Sequence, residues 1–287
     1  QYPNMTTRPF FSIIIPTLNE EKFLPRLLQN LVDQTTTKFE VIHIDGKSED
    51  KTREIAQSFA PRLPAFKQII AQVRHVSHQR NLGAKAASGN YLIFLDADSQ
   101  LPNYFLEGLS FQLHKNSIDI FTAWAFPDSE RAGDKAITTL VNLGLEVADA
   151  LDTPFALGGF IGCTPKVFQK INGFDETVNF GEDEAYIKSA VAKGFKFTVI
   201  REPRWIYSLR RFRKEGTLPS IQAFAIKQLS LLLNNKNITT KYAMGGHLFA
   251  DDDPAKNLFR ILDERFKQLT SHPKLQKFLS DLFDLQS

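Results

Sequence analysis

YLIFLDADSQ, residues 91–100, runs from a dry apolar stretch straight into two aspartates one residue apart. Five apolar residues in a row suit a strand buried on both faces of a sheet. Two carboxylates where the packing stops are a poor way to end such a strand, unless something positive sits between them. The spacing of Asp96 and Asp98 allows their side chains to converge in the turn after the strand. A converging pair repels itself unless a cation intervenes, and hard divalent ions with oxygen ligands suit that place. The plainer alternative is that Asp98 caps the turn before Pro102 while Asp96 is merely solvated.

Upstream, FFSIII (10–15) ends at Pro16 and reads as a second dry strand. Leu24, Leu27, Leu28, Leu31 and Val32 follow with helical spacing, with Pro25 in the helix's first turn. FEVIHI (39–44) is a strand, and Ile55, Ala56 and Phe59 mark a helix after DGKSEDKT. KQIIAQV (67–73) is a weaker strand, and RNLGAKAASGN reads as a short helix closed by Gly89. Downstream, IDIFTAW (118–124) and FKFTVI (195–200) are strands. Between them lie helical periodicity around Leu140–Val147, a Gly-rich extended piece FALGGFIGCT, and a helix GEDEAYIKSAVAKG with acids in its first turn.

Strand and helix thus alternate over some two hundred residues. That pattern predicts an α/β, Rossmann-like sheet, mixed but mostly parallel, with helices on both faces. The boundaries drawn are an α/β domain over 1–205, with one half near 10–100 and the other over 101–205. A basic, amphipathic helical extension covers 206–287. In open sheets of this kind ligands bind beyond the carboxyl ends of the strands. Strand one ends in PTLNE, strand two in Asp45 and strand four in DAD, so three strand ends carry polar chemistry together.

The bulk properties narrow the class. The 287 residues are 43% hydrophobic and 23% charged, with a net charge of +3, too small to imply nucleic-acid binding. Cys163 is the lone cysteine, which excludes an internal disulfide framework and favours a reducing compartment. No stretch reaches the roughly 18 apolar residues of a spanning helix.

Taken in order, SIIIPTLNEEKFLPRLL, FEVIHIDGKSEDKT, RNLGAKAASGNYLIFLDAD and GGFIGCTPKVFQKINGFDETVNFGEDEAYIKSAVAKGFKF resemble the family 2 glycosyltransferases, inverting GT-A enzymes that use nucleotide sugars. The resemblance covers about residues 10–205 and implies a catalytic domain over 1–205, with a nucleotide-sugar half near 10–100 and an acceptor half over 101–205. It implies that Asp45 accepts hydrogen bonds from the nucleobase, with Pro16, Thr17 and Glu20 lining the same pocket. Arg80 would touch the nucleotide or its phosphates, and Gly83 would let its helix approach closely. Asp96, Ala97 and Asp98 form the D-x-D motif, holding Mg²⁺ or Mn²⁺ on the diphosphate. Gly158, Gly159 and Phe160 would frame the donor sugar and the acceptor. Of Glu182, Asp183 and Glu184, the second acid of the E-D pair, Asp183, would be the catalytic base with Glu182 beside it. The structural alternative is that all three acids only complement a helix dipole.

Six basic residues lie between Arg201 and Lys214 against the one acid Glu202. They read as a solvated loop, as a clamp in which Arg210 or Arg211 folds over the diphosphate, or as a contact with anionic lipid beside the amphipathic stretch from Ile221. His247 is a candidate third metal ligand, with a surface or structural histidine as the alternative. The last thirty residues suit helix packing or a homodimer surface. The expected partners are a nucleotide-sugar donor and a saccharide or lipid-linked acceptor, in a cytoplasmic protein with peripheral contact at the inner membrane face. A polyprenyl-phosphate acceptor is the runner-up. Nucleotidyl transfer is disfavoured because PTLNEEKF lacks the Gly-rich loop, and a silent binding module because the acids are intact.

Overall fold

Ile13, Ile14 and Ile15 show no exposed surface, so the strand that carries them is covered on both faces. The computed structural model describes residues 8–150, 153–156, 158–178 and 181–210. The chain divides into two compact units, Gln1–Leu145 with Pro154–Leu209, and Glu146–Thr153 with Arg210–Ser287. Arg211, His247, the stretch from Ile221 and the C-terminal helices expected from sequence lie outside the described residues.

Among the described residues seven strands form one sheet: β1 (Phe11–Thr17), β2 (Phe39–Asp45), β3 (Phe66–Ile70), β4 (Tyr91–Leu95), β5 (Ile120–Pro127), β6 (Phe160–Cys163) and β7 (Phe197–Tyr207), in the order β3-β2-β1-β4-β6-β5-β7. β1 pairs in parallel with β2 and β4, β2 with β3, and β5 with β7. Only β6 runs the other way, antiparallel to both β4 and β5. The mixed, mostly parallel sheet expected from sequence is therefore the one observed.

This topology positions the site. Thr17 pairs with Asp45, and Ile14 with Phe94, so the carboxyl ends of β1, β2 and β4 open on one edge. Because β6 is reversed, it enters the sheet at that same edge. Leu95 pairs with Phe160, and Asp96 N–H donates to the Gly159 carbonyl (3.2 Å). Gly158 and Gly159 are thereby carried to the D-x-D turn.

The helices are α1 (Leu24–Val32), α2 (Thr52–Phe59), α3 (Val76–Ala86), α4 (Phe105–Lys115), α5 (Ala132–Ala150), α6 (Pro165–Ile171) and α7 (Glu182–Ala192), with one 3₁₀ turn at Ala60–Arg62. Pro25 lies in the first turn of α1, where its missing N–H has no intrahelical role. α3 starts before the expected Arg80 and ends at Ala86, ahead of Gly89. Gly89 serves a different need: a Cβ there would stand 2.7 Å from the Ser12 nitrogen, and its own N–H donates to Ser12 Oγ at 2.8 Å. β7 continues past the expected Ile200 to Tyr207, and its compact unit runs to Leu209.

One face of the sheet packs Ile14, Ile42, Ile44, Leu92, Phe94 and Ile161 against α3, α6 and α7 through residues such as Leu82, Val167 and Ile187. Gly83 sets the distance of α3 from that face. A Cβ at Gly83 would stand 2.4 Å from Ile14 Cγ2 and 2.6 Å from Ile44 Cδ1. Gly83→Ala is accordingly expected to lower unfolding stability by about 1–3 kcal/mol through overpacking, outweighing the better helix propensity of alanine. A denaturant midpoint equal to that of the parent would refute the close approach.

Candidate active site

The site is built on Arg80, one turn into α3. Its side chain is 2% exposed, an arrangement that needs paired charges. Nη1 donates to Asp183 Oδ1 (2.6 Å) and Glu182 Oε1 (3.1 Å). Nη2 donates to Asp96 Oδ1 (3.1 Å) and the Gly158 carbonyl (3.0 Å). The Phe174 ring covers the guanidinium at 5.2 Å, and Nε is buried without a partner. One fork therefore joins the end of β4, the entry to β6 and the start of α7. Burial works against the charge, but Asp183, Asp96 and Glu182 hold the guanidinium protonated, well above its ordinary range.

α7 begins at Gly181 in the left-handed region (φ 78°), and its first turn carries Glu182, Asp183 and Glu184. Glu182 and Asp183 turn inward to Arg80, whereas Glu184 pairs with Lys188 one turn on (2.5 Å). So the three acids do not all serve the helix dipole. Burial, together with the charges of Glu182 and Asp96, pushes the Asp183 carboxyl up to about 7 against the pull of Arg80. Burial also raises the Asp96 carboxyl, again opposed by Arg80 and reinforced by Asp98 and Glu182. Three carboxylates on one guanidinium, with Asp98 alongside, leave the cluster with surplus negative charge. Such a place accepts a proton or a further cation.

Asp96 lies 39% exposed, and its Oδ2 takes no hydrogen bond from the described residues. Asp98 is half-buried in the same turn and already has a partner, while Ala97 is buried. Among the described residues no three His, Cys, Asp or Glu side chains surround a common metal position. Two carboxylates nonetheless suit Mg²⁺ or Mn²⁺, which commonly complete their shell with phosphate oxygens and water. The donor set present fits such an ion on that basis.

At the ends of β1 and β2 the expected nucleobase residues are assembled differently from the expectation. Asp45 has no exposed surface. Its Oδ1 accepts from Ser48 N–H (2.9 Å) and its Oδ2 from the Thr17 hydroxyl (3.3 Å), with Arg53 Nε 3.7 Å away. Thr17 Oγ1 also meets His43 Nε2 at 2.8 Å, and burial lowers His43 to about 4, so this ring is neutral. As it stands, Asp45 organises the loop after β2, and a base would have to use lone pairs beyond those already engaged. Pro16 is buried within β1, and Glu20 N–H donates to Thr52 Oγ1 (2.8 Å).

Two further expectations change in the same way. Arg80 directs its fork at the protein's own carboxylates rather than outward. Phe160 does not frame the site: it is fully buried, stacking on Trp205 (5.8 Å) and meeting Phe105 edge-on (5.4 Å). It supports Gly159 from beneath. A Cβ at Gly159 would stand 2.6 Å from Trp205, and one at Gly158 would stand 2.2 Å from Asp183 Oδ2. Both glycines are thus sites of close approach. Arg210 is half-buried and belongs to the second unit. Asp175, outside this cluster, accepts from Thr177 N–H (2.8 Å) in a turn.

Trp205 and Phe174 were not singled out from sequence. Trp205 lies between Arg204 and Ile206, and Phe174 between Gly173 and Asp175, and such surroundings do not distinguish a support from a surface ring.

Comparison with known proteins yields a family and a fold. The family model described as Glycosyl transferase family 2 matches residues 12–171. An uncharacterized glycosyltransferase, EpsJ of Bacillus subtilis (strain 168), is 26% identical over 69% of this chain and 61% of its own length. The minor teichoic acid biosynthesis protein GgaB of the same organism is 27% identical over 79% of this chain, but only 26% of its own length. The chain thus spans less than two thirds of either relative. Among solved structures, the mannosyltransferase PcManGT from Pyrobaculum calidifontis, in complex with GDP-Man and Mn²⁺, superposes with a TM-score of 0.60 at 19% identity, covering 96% of this chain and 84% of that one. S. aureus TarS 1–349 in complex with UDP-GlcNAc gives 0.58 at 21% identity, covering 70% and 58%. At these identities the structural likeness concerns the fold.

Proposed function

The chain belongs to glycosyl transferase family 2, and from that premise we propose that it moves a sugar from a nucleoside diphosphate donor, UDP- or GDP-linked, to a hydroxyl acceptor with inversion. The observation that carries the reading is the meeting of Asp96, from the end of β4, with Asp183, from the start of α7, on one guanidinium. Strand-end and helix-start acids in one cluster provide the two kinds of group this reaction needs.

Asp183 takes the proton of the acceptor hydroxyl as its oxygen attacks the anomeric carbon. The bond from that carbon to the diphosphate oxygen breaks on the opposite face, so the configuration inverts. A carboxylate raised well above the ordinary range is a better proton acceptor than an unperturbed one. Asp96 and Asp98 would hold a divalent ion, which would supply Lewis acidity for the negative charge on the departing diphosphate. Gly158 keeps a side chain out of the space beside Asp183.

The acceptor is a saccharide or lipid-linked hydroxyl. Among the described residues no helix is long and apolar enough to cross a membrane, and the stretch proposed to touch lipid lies beyond them.

The test is a thermal-shift panel of UDP- and GDP-sugars with and without Mn²⁺. At a hundredfold excess over Kd, binding adds about 2.7 kcal/mol, which corresponds to about 5–10 °C for a chain of this size. The expected result is such a rise for one nucleotide class, dependent on Mn²⁺ and reversed by chelation. No shift with either class, with or without metal, would overturn the proposal.

A further inference from the structure

We propose that Arg80 is a positioning residue for the transfer: it pins Oδ1 of Asp183 and leaves Oδ2 as the single oxygen that receives the acceptor's proton. This rests on the reading of Asp183 as base, and it departs from the expectation that Arg80 meets the nucleotide.

The two oxygens of Asp183 stand in different surroundings. Oδ1 is 2.6 Å from Arg80 Nη1. Oδ2 takes no hydrogen bond from the described residues and lies against Gly158, where a Cβ would come within 2.2 Å. A carboxylate held at one oxygen cannot rotate freely about its Cβ–Cγ bond, so the other oxygen keeps a constant aim. The anchor is itself immobile. Nη1 also holds Glu182, Nη2 holds Asp96 and the Gly158 carbonyl, and Phe174 closes the face of the guanidinium. The anchor therefore joins the base to the turn that carries the metal aspartates and to the loop bordering the acceptor's space.

A forked guanidinium suits this, because its two terminal nitrogens serve four acceptors in different directions. A lysine ammonium is a point charge that reproduces the charge but not the directions. Stability is a weak explanation for the cluster, since buried ion pairs are often replaceable by apolar residues at little cost. A contact with phosphate is also a weak explanation, because both Nη groups already face protein acceptors.

The experiment compares Arg80→Ala, Arg80→Lys and Asp183→Asn, using single-turnover transfer, donor binding and thermal unfolding. Arg80→Ala is expected to lower kcat about 100-fold with donor KM changed less than about threefold, the signature of an interaction lost in the transition state. Guanidinium ion at tens of millimolar is expected to restore about tenfold of that loss by reoccupying the vacated fork, whereas methylammonium is not. A purely structural arginine would not give that selectivity. Should Arg80→Ala fail to fold, Arg80→Lys decides: kcat about tenfold down at unchanged KM supports the proposal, and parental kcat overturns it. Loss of donor affinity with kcat retained also overturns it, and returns Arg80 to the nucleotide. If Asp183→Asn keeps transfer, the base assignment fails and takes this inference with it. If Asp183→Asn is inert while Arg80→Lys matches the parent, only the positioning role falls.

Discussion

Asp183→Asn is expected to reduce transfer by about 10³-fold or more while the protein stays folded and binds donor normally. The substitution is nearly isosteric. The amide oxygen still accepts from Arg80 Nη1, so the junction of α3 and α7 survives. What disappears is an oxygen able to accept a proton, because the amide nitrogen at that position only donates. Removing one carboxylate also relieves a cluster with more acids than bases, so the melting temperature should not fall.

The same residue sets a pH dependence. Asp183 must be ionised to act, and its surroundings raise its carboxyl to about 7. The ionised fraction therefore increases with pH through that value, and kcat/KM, which follows the free enzyme, should climb as pH rises towards about 7 and level off above it. An aspartate in ordinary surroundings would already be at its plateau near pH 5. A kcat/KM profile flat from about pH 5 to 8, with the chemical step shown to be limiting, would remove Asp183 from the role. So would an Asn variant transferring at a tenth of the parental rate.

Trp205→Ala should produce the largest loss of stability of any single truncation near the site. The indole is wholly buried, stacks on Phe160 at 5.8 Å, meets Tyr207 edge-on at 5.5 Å and donates from Nε1 to the Ala123 carbonyl at 3.1 Å. Its loss combines a large cavity with an unsatisfied buried carbonyl and is expected to cost about 3–5 kcal/mol. The effect should extend to chemistry, because Gly159 rests directly on the ring and Gly158 holds Arg80. We expect a lower denaturant midpoint and, at a temperature where the variant is still folded, a reduced kcat with donor KM nearly unchanged. Trp205→Phe keeps an aromatic stack without the Nε1 bond, and should cost about 1–3 kcal/mol. A Trp205→Ala protein with parental kcat would show that the ring supports the core alone.

What could be read before the structure follows from where local rules suffice. β1 and β4 are central strands, dry on both faces, and they appear as the apolar runs over 13–15 and Tyr91–Leu95. α1 declares itself through leucine spacing and Pro25. α4 follows the same rule, with Phe105, Leu106, Leu109 and Leu113 as its buried stripe, and is an element beyond those expected from sequence. α6 is only seven residues, and its marks are boundary signs rather than periodicity: Thr164 accepting from Val167 N–H, Pro165 in the first turn, and Asn172 left-handed at the end. β7 was cut short because exposed Arg201 and Glu202 interrupt its pattern, although Pro203 and Trp205 beyond them are buried.

The sequence by itself determined the sheet class, the edge where acids gather and the residue types available there, because strand burial and strand-end polarity are set by neighbours along the chain. Only the tertiary structure decided that Arg80 faces inward, that Asp45 is covered, that Phe160 lies beneath the site and that Gly158 stands against Asp183. Asp45 is covered by Thr17, Ser48 and Arg53. The other arrangements follow β6 entering antiparallel between β4 and β5, a pairing of distant segments whose energy comes from packing that no local pattern encodes.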